Sequence, residues 1–130
     1  MDRRSFCGLA GTGAVALPMV GTSGDATDQA RRTYAYTIEI VEGPAGGCGF
    51  GHKPGDVFQY PAEKGRICHW LMDSMNGALR VLEYGGTMPW LYRGTPYEKV
   101  IDPDGVTTEF IRCPDPTSGL VAKITRTRTG

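Results

Sequence analysis

Residues 67–84 read ICHWLMDSMNGALRVLEY, and within them Ile67, Leu71, Met75, Leu79 and Leu82 recur at steps of four, four, four and three. That spacing gathers the apolar side chains on one face of an α-helix. The Gly85-Gly86 pair that follows supplies the stop, because glycine takes the left-handed backbone that helix ends favour. Cys68 falls in the first turn, where the helix dipole favours negative charge. A helix with one apolar face needs a partner surface, so the fold turns on what flanks it.

Upstream, Tyr34, Tyr36, Ile38 and Ile40 alternate with Thr37 and Glu39, the period-two pattern of a half-buried strand. The run Gly43-Pro44-Ala45-Gly46-Gly47 ends it. A turn-dense segment, Cys48-Gly49-Phe50-Gly51-His52-Lys53-Pro54-Gly55-Asp56, leads into a short second strand, Val57-Phe58-Gln59-Tyr60, which Pro61 closes. Downstream, residues 87–104 contain Pro89, Pro96 and Pro103 and read as a long connection carrying Trp90, Leu91 and Tyr92 back over the core. Two last strands, residues 106–112 and 120–127, flank the turn Cys113-Pro114-Asp115-Pro116-Thr117-Ser118-Gly119. Strand, strand, helix, strand, strand predicts an α+β domain: a small antiparallel sheet of about four strands covered by one central amphipathic helix.

The N-terminus carries a different signal. Arg3-Arg4-Ser5-Phe6 stands directly ahead of a Gly/Ala-rich stretch, residues 8–20, in the order of a twin-arginine export signal. The stretch is too short and too rich in glycine to span a bilayer, and Pro18 interrupts it, so no stable membrane anchor is expected. Cleavage after Ala26 is preferred to cleavage after Ala16. Cys7, preceded by Arg-Ser-Phe, lacks the apolar run of a lipidation site. The expected organisation is a signal peptide over 1–26, a flexible lead-in over 27–33 and a single α+β domain over 34–130. The product would be exported across the cytoplasmic membrane, to a periplasmic or extracellular location, with the twin-arginine machinery as its partner. The competing reading is a basic tail that only happens to contain an arginine pair.

The chain has 130 residues, with 14 Lys+Arg against 14 Asp+Glu and no net charge. No basic run or basic helix face is present to hold nucleic acid or an anionic membrane. Processing would remove Cys7 and leave Cys48, Cys68 and Cys113, an odd set in a compartment that permits disulfides.

Several spaced motifs recur together: Cys48-x-x-Gly51-His52-Lys53-x-Gly55-Asp56-x-Phe58, Cys68 at the helix start followed by Trp70, and Cys113-Pro114-Asp115-Pro116 leading into the last strand, with Gly85-Gly86 and Pro89-Trp90 after the helix. In this combination the chain resembles a small uncharacterised prokaryotic family of about this domain's size, over residues 36–126. The resemblance implies the outline of the domain and no activity. Gly49 departs from the family pattern, in which proline often follows the first cysteine, and the export signal is an addition that many relatives lack.

Three classes of function follow from these residues. Cys48, His52, Cys68 and Cys113 supply three thiolates and an imidazole, a chemically complete set for Zn²⁺ or a soft site for copper or iron, with zinc favoured. The twin-arginine route carries folded passengers, so a metal could be loaded before export. Against this, two cysteines can pair as a disulfide while the third is buried as a small hydrophobe and His52 packs a turn. His69, Met72 and Met75 near Cys68 suggest a copper site, but Met75 lies on the apolar stripe and belongs to the core.

Catalysis is the second class: Cys48 or Cys68 as nucleophile, His52 as base, and Asp56 or Asp115 orienting the imidazole. Both aspartates also suit a turn role. The third class is a non-catalytic binding module with a structural disulfide, in which Trp70, Trp90, Tyr92 and Tyr97 line a groove; in so small a domain most of these aromatics are expected to fill the core. No phosphate-cradling glycine motif, dinucleotide fingerprint, Cys-x2-Cys redox pair or haem-attachment motif is present. The leading expectation is an exported domain that binds a thiophilic metal through Cys48, His52, Cys68 and Cys113.

Overall fold

A computed structural model of the chain describes residues 33–130; the expected signal peptide over 1–26, and the lead-in as far as residue 32, lie outside the described residues. The elements are β1 (Tyr34–Glu42), β2 (Val57–Tyr60), a 3₁₀ turn (Lys64–Arg66), α1 (His69–Glu83), β3 (Val106–Arg112) and β4 (Val121–Arg128). The four strands form one antiparallel sheet in the order β2-β1-β4-β3, so the first and last strands pair at its centre. The fold is the expected α+β arrangement of one sheet and one helix.

Register puts the alternating residues of β1 on one face. Ile38 stands opposite Phe58 on one side and Ile124 on the other, and Ile40 opposite Ala122. The stripe of α1 fills the space above them: Leu71, Met75, Leu79 and Leu82 are fully buried, and Ile67, just outside the helix, joins the same core. Such burial stabilises by roughly 1.5–3 kcal/mol per large aliphatic side chain.

Both ends of α1 are built from the residues that marked them. Cys68 is the residue before the first helical turn, in extended backbone geometry, rather than a member of that turn. At the other end Gly85 takes a φ of 84°, its N–H bonds to the Leu82 carbonyl at 3.0 Å, and the Gly86 N–H bonds to Val81 at 2.9 Å. This pair of bonds is the Schellman closure. Arg126, 1% exposed on β4, completes it by donating to the carbonyls of Leu82 and Gly86, while its guanidinium lies 4.6 Å from the centre of the Tyr34 ring. A buried cation at the negative end of a helix meets partial charges of the right sign.

The connection between α1 and β3 corrects one expectation. Trp90 and Tyr92 are exposed and Tyr97 is half-buried, so the aromatic residues of this segment do not fill the core; Trp70 is exposed as well. The segment instead wraps the outer edge of β3. Val100 and Thr108 exchange hydrogen bonds along that edge, Tyr97 packs on Phe110, and Lys99 reaches Glu109, the next residue along the strand and therefore on the other face. Burial on the inner face is supplied by an ion pair, where aromatic side chains were expected.

Candidate functional site

The loop between β1 and β2 closes on itself. The Cys48 N–H donates to the His52 carbonyl at 2.8 Å, and the Gly51 N–H donates to the Cys48 carbonyl at 2.8 Å. Gly51 has a φ of 102°, a backbone geometry that a side chain would strain, which is the local reason for glycine three residues after Cys48. His52 leaves this loop pointing inward, 5% exposed, with its ring centroid 4.9 Å from that of Phe50 and 5.2 Å from that of Phe58.

The imidazole then does something its sequence context did not announce. Its Nε2 accepts the backbone N–H of Cys68 at 3.0 Å. The N–H at the entry to α1 is thereby satisfied by a residue from a different part of the chain, the role that a capping-box glutamate plays within a helix. An accepting Nε2 fixes the neutral ring with its proton on Nδ1. Burial holds the His52 pKa below its usual value, with the Asp56 carboxylate pulling the other way.

Cys113 follows β3 directly, its N–H bonded to the Leu120 carbonyl at 2.8 Å across the turn to β4. These placements bring Cys48, His52, Cys68 and Cys113 to the wall of one cavity of about 300 Å³. Its floor includes Leu71 and Leu120, both fully buried, and its rim carries Phe50 and Trp70, 55% and 57% exposed. All three thiols are free, Cys113 buried and the other two half-buried. The four residues that the sequence singled out share one pocket, but they are not arranged as a preformed metal cage. Among the described residues no three His, Cys, Asp or Glu side chains are grouped to hold an ion, and the Nε2 of His52 is already engaged.

Other candidates separate. Trp70 and Asp115 line the cavity with the thiols. The Asp115 carboxylate accepts both the N–H and the hydroxyl of Thr117, bonds that hold its pKa below the usual range and close the turn. Asp56 accepts the Lys53 N–H at 3.0 Å and shares with His52 a second recess, away from the thiols. His69 is exposed and does not line the cavity, while Met75 is fully buried in the core. Neither the copper set nor an Asp-His-Cys relay is assembled: the nitrogen of His52 that faces Cys68 bonds to its backbone, and Asp56 and Asp115 each serve a local turn.

Five of the residues lining this cavity were not anticipated as site residues from sequence: Gly49, Phe50, Leu71, Ser118 and Leu120. Leu120 was legible in principle, since a turn that begins at Cys113 must place a residue just before β4 beside it. Among the described residues no helix is long and apolar enough to cross a membrane. No protein-family model, no curated protein and no solved structure matches the chain.

Proposed function

We propose that this protein is an exported thiol-dependent redox protein in which Cys48 and Cys68 form the working pair and His52 positions both. The observation that carries this reading is that one residue ties the two cysteines: the His52 carbonyl takes the N–H of Cys48 and its ring takes the N–H of Cys68. Cys68 stands at the N-terminus of the 15-residue helix α1, half-buried at the wall of the cavity that also holds Cys48.

In the reaction, the Cys68 thiolate attacks one sulfur of a partner disulfide. The partner S–S bond breaks, its other sulfur leaves as a thiolate and takes up a proton, and a mixed disulfide joins Cys68 to the partner. The Cys48 thiolate then attacks the Cys68 sulfur, releases the second partner thiol and leaves a Cys48–Cys68 disulfide. Two electrons pass from the protein dithiol to the partner, and the reverse sequence oxidises a partner dithiol. Phe50 and Trp70 at the rim offer apolar surface to the polypeptide that bears the disulfide.

A second reading rests on Cys113. As a third thiol on the same cavity it completes a set of soft donors for a thiophilic metal, zinc before copper or iron. Cys48, Cys68 and Cys113 would hold the ion as thiolates, and His52 could join only by releasing the Cys68 N–H.

Alkylation with iodoacetamide at neutral pH, followed by peptide mapping, separates the two. The redox reading expects Cys68 to react fastest, Cys48 next and Cys113 last, with protein free of stoichiometric metal. Uniform protection of all three thiols together with one equivalent of bound zinc would replace the redox reading with the metal one.

A further inference from the structure

The strap between α1 and β3 borders another recess, open to solvent, on the opposite face of the sheet from the thiol cavity. Arg112 and Val121 are register partners at the last rung of β3 and β4, and the next pair toward the turn is Cys113 and Leu120. Side chains alternate faces along a strand. Cys113 and Leu120 therefore line the thiol cavity, whereas Arg112 and Val121 face the other way, into a recess of about 180 Å³ that Tyr92, Tyr97 and Phe110 complete.

Two features with no part in the thiol site lie at this recess, and one, on the inner face, anchors the strap that borders it. The first is backbone strain. Tyr92 has a φ of 53°, a left-handed geometry that is an outlier for a bulky residue. The turn that holds it is braced, with the Thr95 hydroxyl on the Tyr92 carbonyl at 2.7 Å and the Lys99 N–H on the Leu91 carbonyl at 3.0 Å. The second is the buried Lys99–Glu109 pair, 2.6 Å apart, which anchors the strap and sets the Lys99 ammonium 5.4 Å from the centre of the Tyr92 ring. The third is charge: among the described residues no carboxylate lies within ion-pair distance of the exposed Arg112 guanidinium. The nearby Glu42 carboxylate is engaged by the Tyr97 hydroxyl, which donates to it, and Arg112 lies against that same hydroxyl.

We propose that this recess is a binding site for a small carboxylate with a single-ring apolar body, held by the remaining donors of Arg112 at the charged end and by Tyr92, Tyr97 and Phe110 around the ring. The chemistry matches at both ends. A guanidinium presents parallel N–H donors that fit a carboxylate bidentately, and aromatic rings receive another ring edge-on or offset, as Tyr97 already meets Phe110 at 5.6 Å. The size matches as well, since an apolar cavity of about 150 Å³ accommodates benzene. Because the thiol cavity opens on the other face, this site is independent of the proposed redox chemistry.

Titration of the full chain with benzoate, followed by amide chemical shifts, tests the assignment. Saturable shifts confined to residues 91–99, 110–112 and 121 are expected, with benzamide and benzylamine binding at least ~10-fold more weakly, the loss that one charge-assisted contact implies. Arg112→Met should weaken benzoate by at least ~10-fold and Arg112→Lys by less, each with an unchanged urea midpoint. Absence of saturable shifts at millimolar benzoate, equal affinity for benzamide, or full affinity in a folded R112M variant would each overturn the proposal.

Discussion

His52 is the residue on which the site depends, and its burial makes two measurable demands. The first is geometric. His52→Leu keeps an apolar group between Phe50 and Phe58 but leaves the Cys68 N–H without an acceptor, which should cost about 1–3 kcal/mol. A urea midpoint unchanged by this substitution would show that the bond contributes nothing. The second is linkage to pH. Burial lowers the His52 pKa in the folded state, so the unfolded chain binds the proton first as pH falls. The stabilising contribution of the neutral ring is therefore complete above the ordinary histidine pKa and is lost as pH drops from there toward the lower folded value. Melting temperature should fall between neutral and mildly acidic pH more steeply in the parent protein than in His52→Gln, which does not titrate. Identical slopes would assign the acid sensitivity to other groups.

The helix, its caps and the strap show where local pattern suffices and where it does not. The stripe from Ile67 to Leu82 and the Gly85-Gly86 stop were readable because each depends on near neighbours in sequence. The strap was not, because its decisive contact joins Lys99 to Glu109 across a strand edge, and a lysine in a proline-rich connection carries no local sign of burial. That ion pair, with side chains 1% and 4% exposed, is a strong constraint. Lys99→Met strands the Glu109 carboxylate in the interior and should cost about 3–5 kcal/mol, a large part of the stability of a domain this size. Adding Glu109→Leu should recover most of it, since two apolar groups in place of a buried pair are often neutral. Urea denaturation of the single and double variants measures both. A double variant no more stable than the single would mean that the pair itself, rather than relief of a lone charge, fixes the strap.

For the molecule as a whole, the sheet of four antiparallel strands followed from period-two alternation and turn chemistry, and only its order, with β1 beside β4, required the tertiary structure. The grouping of Cys48, His52, Cys68 and Cys113, which line one cavity, was also legible. Its geometry was not. Residue types and spacing admit a metal set, a disulfide or a free thiol pair equally, and the choice depends on which nitrogen of His52 is occupied and by what. The Cys68 N–H occupies that nitrogen at 3.0 Å, and under the proposed redox function His52 is a positioning residue for the two cysteines it tethers. The proposal that Cys48 and Cys68 are a redox pair is tested most directly by equilibrating the reduced chain with graded ratios of glutathione disulfide to glutathione and mapping the products by mass spectrometry. A single intramolecular disulfide between Cys48 and Cys68 should accumulate while Cys113 stays reduced. A disulfide that includes Cys113, or glutathione adducts at separate sites with no Cys48–Cys68 bond at any ratio, would contradict it.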